Sequence, residues 1–232
     1  MNRIALVTGS TGEIGSVINS ALEESGYTMI NTCRLSCDIT DLQHVRTLAD
    51  RIEHLDILVN NAAISEELAF DQLSPQMWKN TIDVNLTGVF NMLHVFLEKI
   101  LKSNHGRVIN ISSSGAIVGE KCMGHYMASK AGIIGLTSSL AKEYQDSNTT
   151  FNTVLPSYVT TQTNSDNYKS YKRGIRIIDS LINKSSDERQ KRDLTFAKKE
   201  NVVCSTPEDV AHIIKFICSE QSQNINGQIF NI

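Results

Sequence analysis

The chain has 232 residues, 41% of them hydrophobic and 20% charged, with a formal net charge of −3. These values suit one large globular domain that buries a core without staples, and they exclude a disordered chain. So small a negative charge gives no electrostatic basis for nucleic acid as the main partner, and no apolar run reaches the length of a membrane span.

Short β-branched runs alternate with helical patterns from end to end. Residues 4–8 read as a buried strand and 9–15 as a turn. A helix over 14–25 follows, with Val17, Ile18, Ala21 and Leu22 on one face. Strands are predicted over 27–33, 56–60, 107–112 and 150–155, with a last short one over 227–232. Helices are predicted over 41–52 (capped by Asp41), 77–101, 126–145 and 206–219. This alternation predicts an α/β fold, a parallel sheet covered by helices on both faces, with ligands at the carboxyl ends of the strands. No repeat or linker divides the chain, so a single domain over 1–232 is expected. The start enters a glycine turn too early for a signal peptide. Five cysteines without a Cys-x-x-Cys pair read as buried or idle thiols in a reducing, cytoplasmic setting. The histidines show no metal-ligand spacing.

Two constellations carry chemistry. Thr8-Gly9-Ser10-Thr11-Gly12-Glu13-Ile14-Gly15 joins the first strand to the first helix, where glycines let the backbone approach a pyrophosphate and a helix N-terminus stabilises its charge. Tyr126 and Lys130 stand at i and i+4 on one helix face. Ser113 lies at the end of the strand before them, and Asn85 sits inside the long helix, where asparagine is a poor helix former. A free phenol titrates near pKa ~10, and a neighbouring ammonium should lower that value. Tyr126 therefore suits a general acid and base, while Ser113 suits a hydrogen-bond donor to a developing alkoxide.

Taken together, these motifs resemble the short-chain dehydrogenase/reductase family over nearly the whole chain, most of all the bacterial 3-oxoacyl-(acyl-carrier-protein) reductases. The resemblance implies a Rossmann-type doubly wound sheet and an Asn85–Ser113–Tyr126–Lys130 tetrad. In it, Lys130 also holds the nicotinamide ribose and Asn85 a proton-relaying water. It implies a dinucleotide held by Gly9, Ser10, Thr11, Gly12 and Ile14, by Asp38 and Ile39 near the adenine, and by Asn60 and Asn61 on the cleft wall. Val159 and Thr161 would hold the carboxamide. Arg34, where NAD enzymes usually place an acid nearby, favours NADP(H) over NAD(H) through a contact to a 2′-phosphate. A homodimer or homotetramer is implied as well.

The chain departs from the family pattern in several places. Its middle glycine stands at Gly12, as in the extended branch, and Glu13 takes the compact-branch position; the side chain of Glu13 is expected to point away from the phosphates. Ala63 and Ser157 replace glycines. Only four positions lead from Arg34 to Asp38, where family members fit a helix and a strand. No helix fits that interval, so the crossover after the second strand should be shortened or deleted.

Residues 162–200 hold ten Lys/Arg against six Asp/Glu and are expected to form a substrate lid. That segment reads either as a solvated surface or as a basic cover steering a small anionic substrate. Ile117, Val118, Cys122, Met123 and His125 are expected on the opposite wall. Two arginines dock the carrier protein in the 3-oxoacyl reductases, and their places hold Asn104 and Ser147. The loss points to a free small-molecule carbonyl or alcohol. A carrier-bound acyl substrate and a non-catalytic dinucleotide sensor or scaffold are the alternatives.

Overall fold

The computed structural model describes residues 3–159, 161 and 204–232. Strands β1 (Ile4–Thr8), β2 (Thr28–Thr32), β3 (Ile57–Asn60), β4 (Arg107–Ile111), β5 (Thr150–Leu155) and β8 (Ile229–Asn231) form one sheet in the order β2-β1-β3-β4-β5-β8. Every pairing in it is parallel. The short strands β6 (Tyr158–Val159) and β7 (Cys204–Ser205) pair separately.

Alternation along the strands divides the core. Leu6, Leu58, Val108 and Phe151 face α2 (Leu42–Ala49), α4 (Gly88–Leu101) and α6 (Gly124–Glu143). Ala5, Val7, Ile57, Val59, Ile109 and Val154 face α1 (Glu13–Glu24) and α7 (Pro207–Ile217). Burial on both faces explains why these strands are continuous apolar runs rather than alternating ones.

The interval after β2 contains neither a helix nor a strand. Cys33 O accepts from Ser36 N at 3.0 Å and Cys37 N at 2.9 Å, a tight turn from which the chain passes into α2. Asp41 caps α2 by accepting from Gln43 N and His44 N. Asn91 Nδ2 donates to Ile39 O at 2.9 Å and so fastens the shortened crossover to α4. The sheet accordingly ends at β2, as so short an interval requires.

The helix predicted over 77–101 is interrupted. α3 (Pro75–Ile82) runs into a π-turn at Asp83–Thr87 before α4 continues. The remaining α-helix among the described residues is α5 (Gly115–Val118).

A buried polar cluster closes the amino-terminal edge of the sheet, remote from the strand ends that carry ligands. His105 Nε2 lies 2.7 Å from Cys218 O at the end of α7, so that nitrogen carries the proton. His105 Nδ1 then accepts from Arg107 Nη2 at 3.4 Å. Tyr27 donates to the same Cys218 carbonyl at 2.6 Å. Burial, then the Arg107 and Arg3 charges, hold the His105 pKa below the ordinary 6.5, against the pull of Cys218 O and Glu220. The folded chain therefore binds fewer protons here than the unfolded one at acid pH. This contribution to stability is present above about pH 6.5 and is lost as pH falls through the folded value. Thermal denaturation from pH 7 to 5 should show a steeper fall in Tm for the wild type than for His105→Gln. Parallel curves would contradict it.

Candidate active site

A cleft of about 1760 Å³ opens at the carboxyl ends of the central strands. Its floor at one end is the glycine turn. Gly9 adopts φ +65°, and a Cβ there would lie 3.0 Å from Ala62 Cα. A Cβ on Gly15 would lie 2.2 Å from Gly9 O, so only glycine lets the first turn of α1 fold back onto the loop. α1 begins at Gly12 without a side-chain cap, whereas Asp41, Ser74 and Thr206 cap α2, α3 and α7. An uncapped, dipole-positive helix end facing a cleft fits an anionic pyrophosphate. Thr11, Gly12 and Ile14 line it, and Glu13 does as well. Thr8, the last residue of β1, organises this corner. Its Oγ1 accepts from Asn61 N and Ala62 N, both at 3.0 Å.

Two expected contacts lie behind the surface instead. Ser10 is buried and spends its N–H and hydroxyl on Thr32 O, at 3.0 and 3.2 Å, which ties the turn to β2. Asn60 Nδ2 donates to Asn110 Oδ1 at 2.7 Å inside the sheet, so its side chain braces β3 against β4 rather than lining the cleft. Asn61 does line it, with Nδ2 donating to Thr8 O at 3.0 Å. Ala63 and Ser157 both lack positive φ, so neither loss of glycine strains the backbone. Ser157 N donates to Ile232 O at 2.7 Å.

At the end of β2, Arg34 borders the cleft with a side chain 90% exposed, its Nε 3.9 Å from Asp38 Oδ2. Asp38 Oδ1 accepts from Thr40 N at 3.0 Å and Thr40 Oγ1 at 2.7 Å, and these bonds lower its pKa. Ile39 lines the cleft beside them. Val159 and Thr161 border the opposite end, beyond β5.

Ser113, Tyr126 and Lys130 all line the cleft. Ser113 Oγ accepts from Gly115 N at 3.3 Å. Lys130 is 2% exposed. Its Nζ donates to Ile111 O at 2.8 Å and stands 5.5 Å from the Tyr126 ring centroid. Burial pushes the phenol of Tyr126 up to about 12 and the ammonium of Lys130 down to about 8. The expected lowering of Tyr126 by Lys130 is thus overridden by desolvation in the protein's own groups. Asn85 is fully buried in the π-turn and does not line the cleft. Its Nδ2 donates to Ile64 O at 2.9 Å and Ser129 Oγ at 3.1 Å, while its Oδ1 accepts from Ile64 N at 2.8 Å. Ser129 Oγ in turn donates to Tyr126 O at 2.7 Å. Ser129 escaped the sequence reading although it stands three residues after the tyrosine, on the turn that faces Asn85.

On the far wall, Val118 and Met123 line the cleft, joined by Met127. Ile117, Cys122 and His125 do not; His125 is buried in the protein because α6 begins at Gly124 and turns that side chain inward. Residues 162–200, the expected lid, lie outside the described residues. Among the described residues no cluster suits a metal ion, and no helix is long and apolar enough to cross a membrane.

The short chain dehydrogenase family matches residues 30–172. The acetoacetyl-CoA reductase of Paracoccus denitrificans is 29% identical, with 98% of this chain and 95% of the relative covered. The 3-oxoacyl-(acyl-carrier-protein) reductase FabG of Rickettsia conorii is 30% identical over 99% of this chain and 95% of its own length. That of Aquifex aeolicus is 28% identical, with coverage of 99% and 95%. The alignment to the Paracoccus protein spans 248 positions, more than the 232 residues present here, so this chain carries deletions relative to it. With a parallel sheet, a glycine turn and a buried Lys130 beside Tyr126 in one cleft, the chain belongs to the short-chain dehydrogenase family and is an NAD(P)-binding oxidoreductase.

Proposed function

We propose that the chain is an NADP(H)-dependent carbonyl reductase, or secondary-alcohol dehydrogenase, for a small free substrate, with Tyr126 as its general acid and base. The observation that carries this reading is the phenol of Tyr126 held on the cleft surface above a buried ammonium. A bound nicotinamide dinucleotide supplies or accepts the hydride. Gly9, Thr11, Gly12 and Ile14 would hold its phosphates, Asp38 and Ile39 its adenine end, and Val159 and Thr161 its carboxamide end. Arg34 favours the 2′-phosphorylated form.

In reduction, Tyr126 donates its phenolic proton to the substrate oxygen, and Ser113 donates a hydrogen bond to that same atom. A phenol pushed to about 12 is protonated at neutral pH, as the acid must be. Lys130 stabilises the phenolate left behind, and its position depends on Ile111 O. Asn85 positions rather than touches: it holds the 64-loop against Ser129, which holds the Tyr126 carbonyl. In oxidation the proton moves in the opposite sense.

The names of the relatives favour a second reading, a 3-oxoacyl group carried as a thioester. Asn104, which is exposed, and Ser147, whose hydroxyl is engaged by Tyr144 O at 2.7 Å, offer no cation to an acidic carrier. An anionic substrate rests on the basic composition of 162–200. Among the described cleft residues, Glu13, Asp38, Glu67, Asp83 and Glu120 face only Arg34, Lys121 and Lys130. A cytoplasmic homodimer or homotetramer completes the reading. Phe90 on α4, stacked on His94 and 48% exposed, with the partly buried Leu97, Leu136 and Leu140, offers apolar surface for a partner, whereas Leu93 and Ile133 are buried in the core.

Tyr126→Phe should lower kcat/KM for ketone reduction by about 100-fold or more while leaving NADPH affinity intact. A loss below threefold would remove Tyr126 from the chemistry. The pH profile offers a second check. Reductive kcat/KM should hold steady through neutrality and decline as pH rises past about 8, where Lys130 loses its charge. Lys130→Met should be slower throughout and lack that inflection; a profile unchanged in shape would refute the electrostatic role of Lys130.

A further inference from the structure

At the start of α6, Met123, Tyr126, Met127 and Lys130 all line the cleft. Their spacing puts them in one stripe along the helix, so the two methionines share a face with the phenol and the ammonium. Proton transfer uses Tyr126 and Lys130 and leaves the thioethers without a task. Val118, at the end of α5, adds an exposed apolar side chain to the same wall.

Met127 reaches across to α5. A Cβ on Gly115 would lie 2.8 Å from both its Sδ and its Cε, and 3.6 Å from Ser113 Oγ. The thioether therefore rests where a side chain on Gly115 would stand, next to the serine hydroxyl that Gly115 N binds. Backbone conformation does not call for glycine here: Gly115 has no positive φ, and it opens a helix, where alanine is the better former. What the missing Cβ supplies is a seat for Met127. Rotatable bonds make that side chain adaptable, and a thioether offers a substrate apolar contact with at most a weak acceptor. Both residues line the cleft, so a thioether forced off Gly115 moves into the space beside Ser113.

We propose that Met127, seated on Gly115, sets the size of substrate that the site accepts, by bounding the space beside Ser113 that receives a substituent of the carbonyl carbon. The class it fits is ketones, or the matching secondary alcohols, with a compact apolar group on that side. The inference rests on the carbonyl-reductase reading above and adds two specificity-determining residues to it.

Symmetrical ketones test it, because both substituents grow together and the orientation of binding does not matter. With NADPH, the wild type, Gly115→Ala, Met127→Ala and the double variant are compared by the ratio of kcat/KM for dipropyl ketone to that for acetone. Gly115→Ala should lower the ratio by about tenfold, and Met127→Ala should raise it by about tenfold. The double variant should match Met127→Ala alone, because the added methyl then meets no thioether. Multiplied single effects would mean that the two residues act apart, and unchanged ratios that neither bounds the substrate; either result overturns the proposal and leaves the reductase reading standing. Seating is checked without turnover by NMR of protein carrying isotope-labelled methionine methyl groups, where the Met127 signal is the one lost in Met127→Ala. It should move in Gly115→Ala while the other methionine signals hold; an unmoved signal would overturn the proposal. A wild type inert toward acetone, diethyl ketone and dipropyl ketone alike removes the small-carbonyl reading, and this proposal with it.

Discussion

The site depends on one ammonium kept out of water. Taking a lysine head group from solvent costs several kcal/mol unless hydrogen bonds and neighbouring π or negative charge offset it. Lys130 meets that demand with the last carbonyl of β4 and the face of Tyr126. Ser112 Oγ, just after β4, donates to the Lys130 carbonyl at 2.8 Å and anchors the same turn of α6. Strand end, helix and charge are therefore fixed together. Burial carries a cost in charge: it brings the Lys130 ammonium down to about 8, close to the pH at which a proton-transfer site works. A carboxylate in place of the β4 carbonyl would hold the charge more firmly and leave it less responsive.

The opposite end of the cleft is built with less material. β2 forms the sheet edge, and the turn at 33–37 that leads from it to α2 is held by backbone hydrogen bonds and by the Ser36 hydroxyl, which accepts from Cys33 N at 3.0 Å and donates to Cys33 O at 3.1 Å. Arg34 reaches from that turn almost wholly into solvent, while Ile39 is buried against α4. One end of the cleft is thus packed and buried around Tyr126 and Lys130, and the other, at the sheet edge, is open to solvent.

Much of this was legible from residue spacing. Strand–helix alternation predicted the parallel sheet, and the mere three residues between Arg34 and Asp38 predicted its shortened edge, because both are questions of length. Tyr126 and Lys130 share a helix face by arithmetic alone. What spacing could not supply was depth. Asn60 and Asn61 are adjacent, yet the pleat sends one into the sheet and the other to the cleft, and the end of β3 decides which. His125 neighbours Tyr126 in sequence, but α6 starts one residue before it and turns its side chain into the protein. Burial likewise raises the Tyr126 phenol where the neighbouring ammonium alone would lower it. Proximity to Lys130 could be read from sequence, but the burial that outweighs it could not.

The π-turn at Asp83–Thr87 sets α3 and α4 out of phase by one residue within what is otherwise a single rod. In an unbroken α-ladder, shortening this turn by one position would swing everything before it by roughly 100° about the axis. Asn85 bonds Ile64 on one side and Ser129 on the other because the ladder slips there. The extra residue thus works as a phase shifter: α4 keeps its apolar stripe on the core while the π-turn itself presents Asn85 to brace the loop after β3.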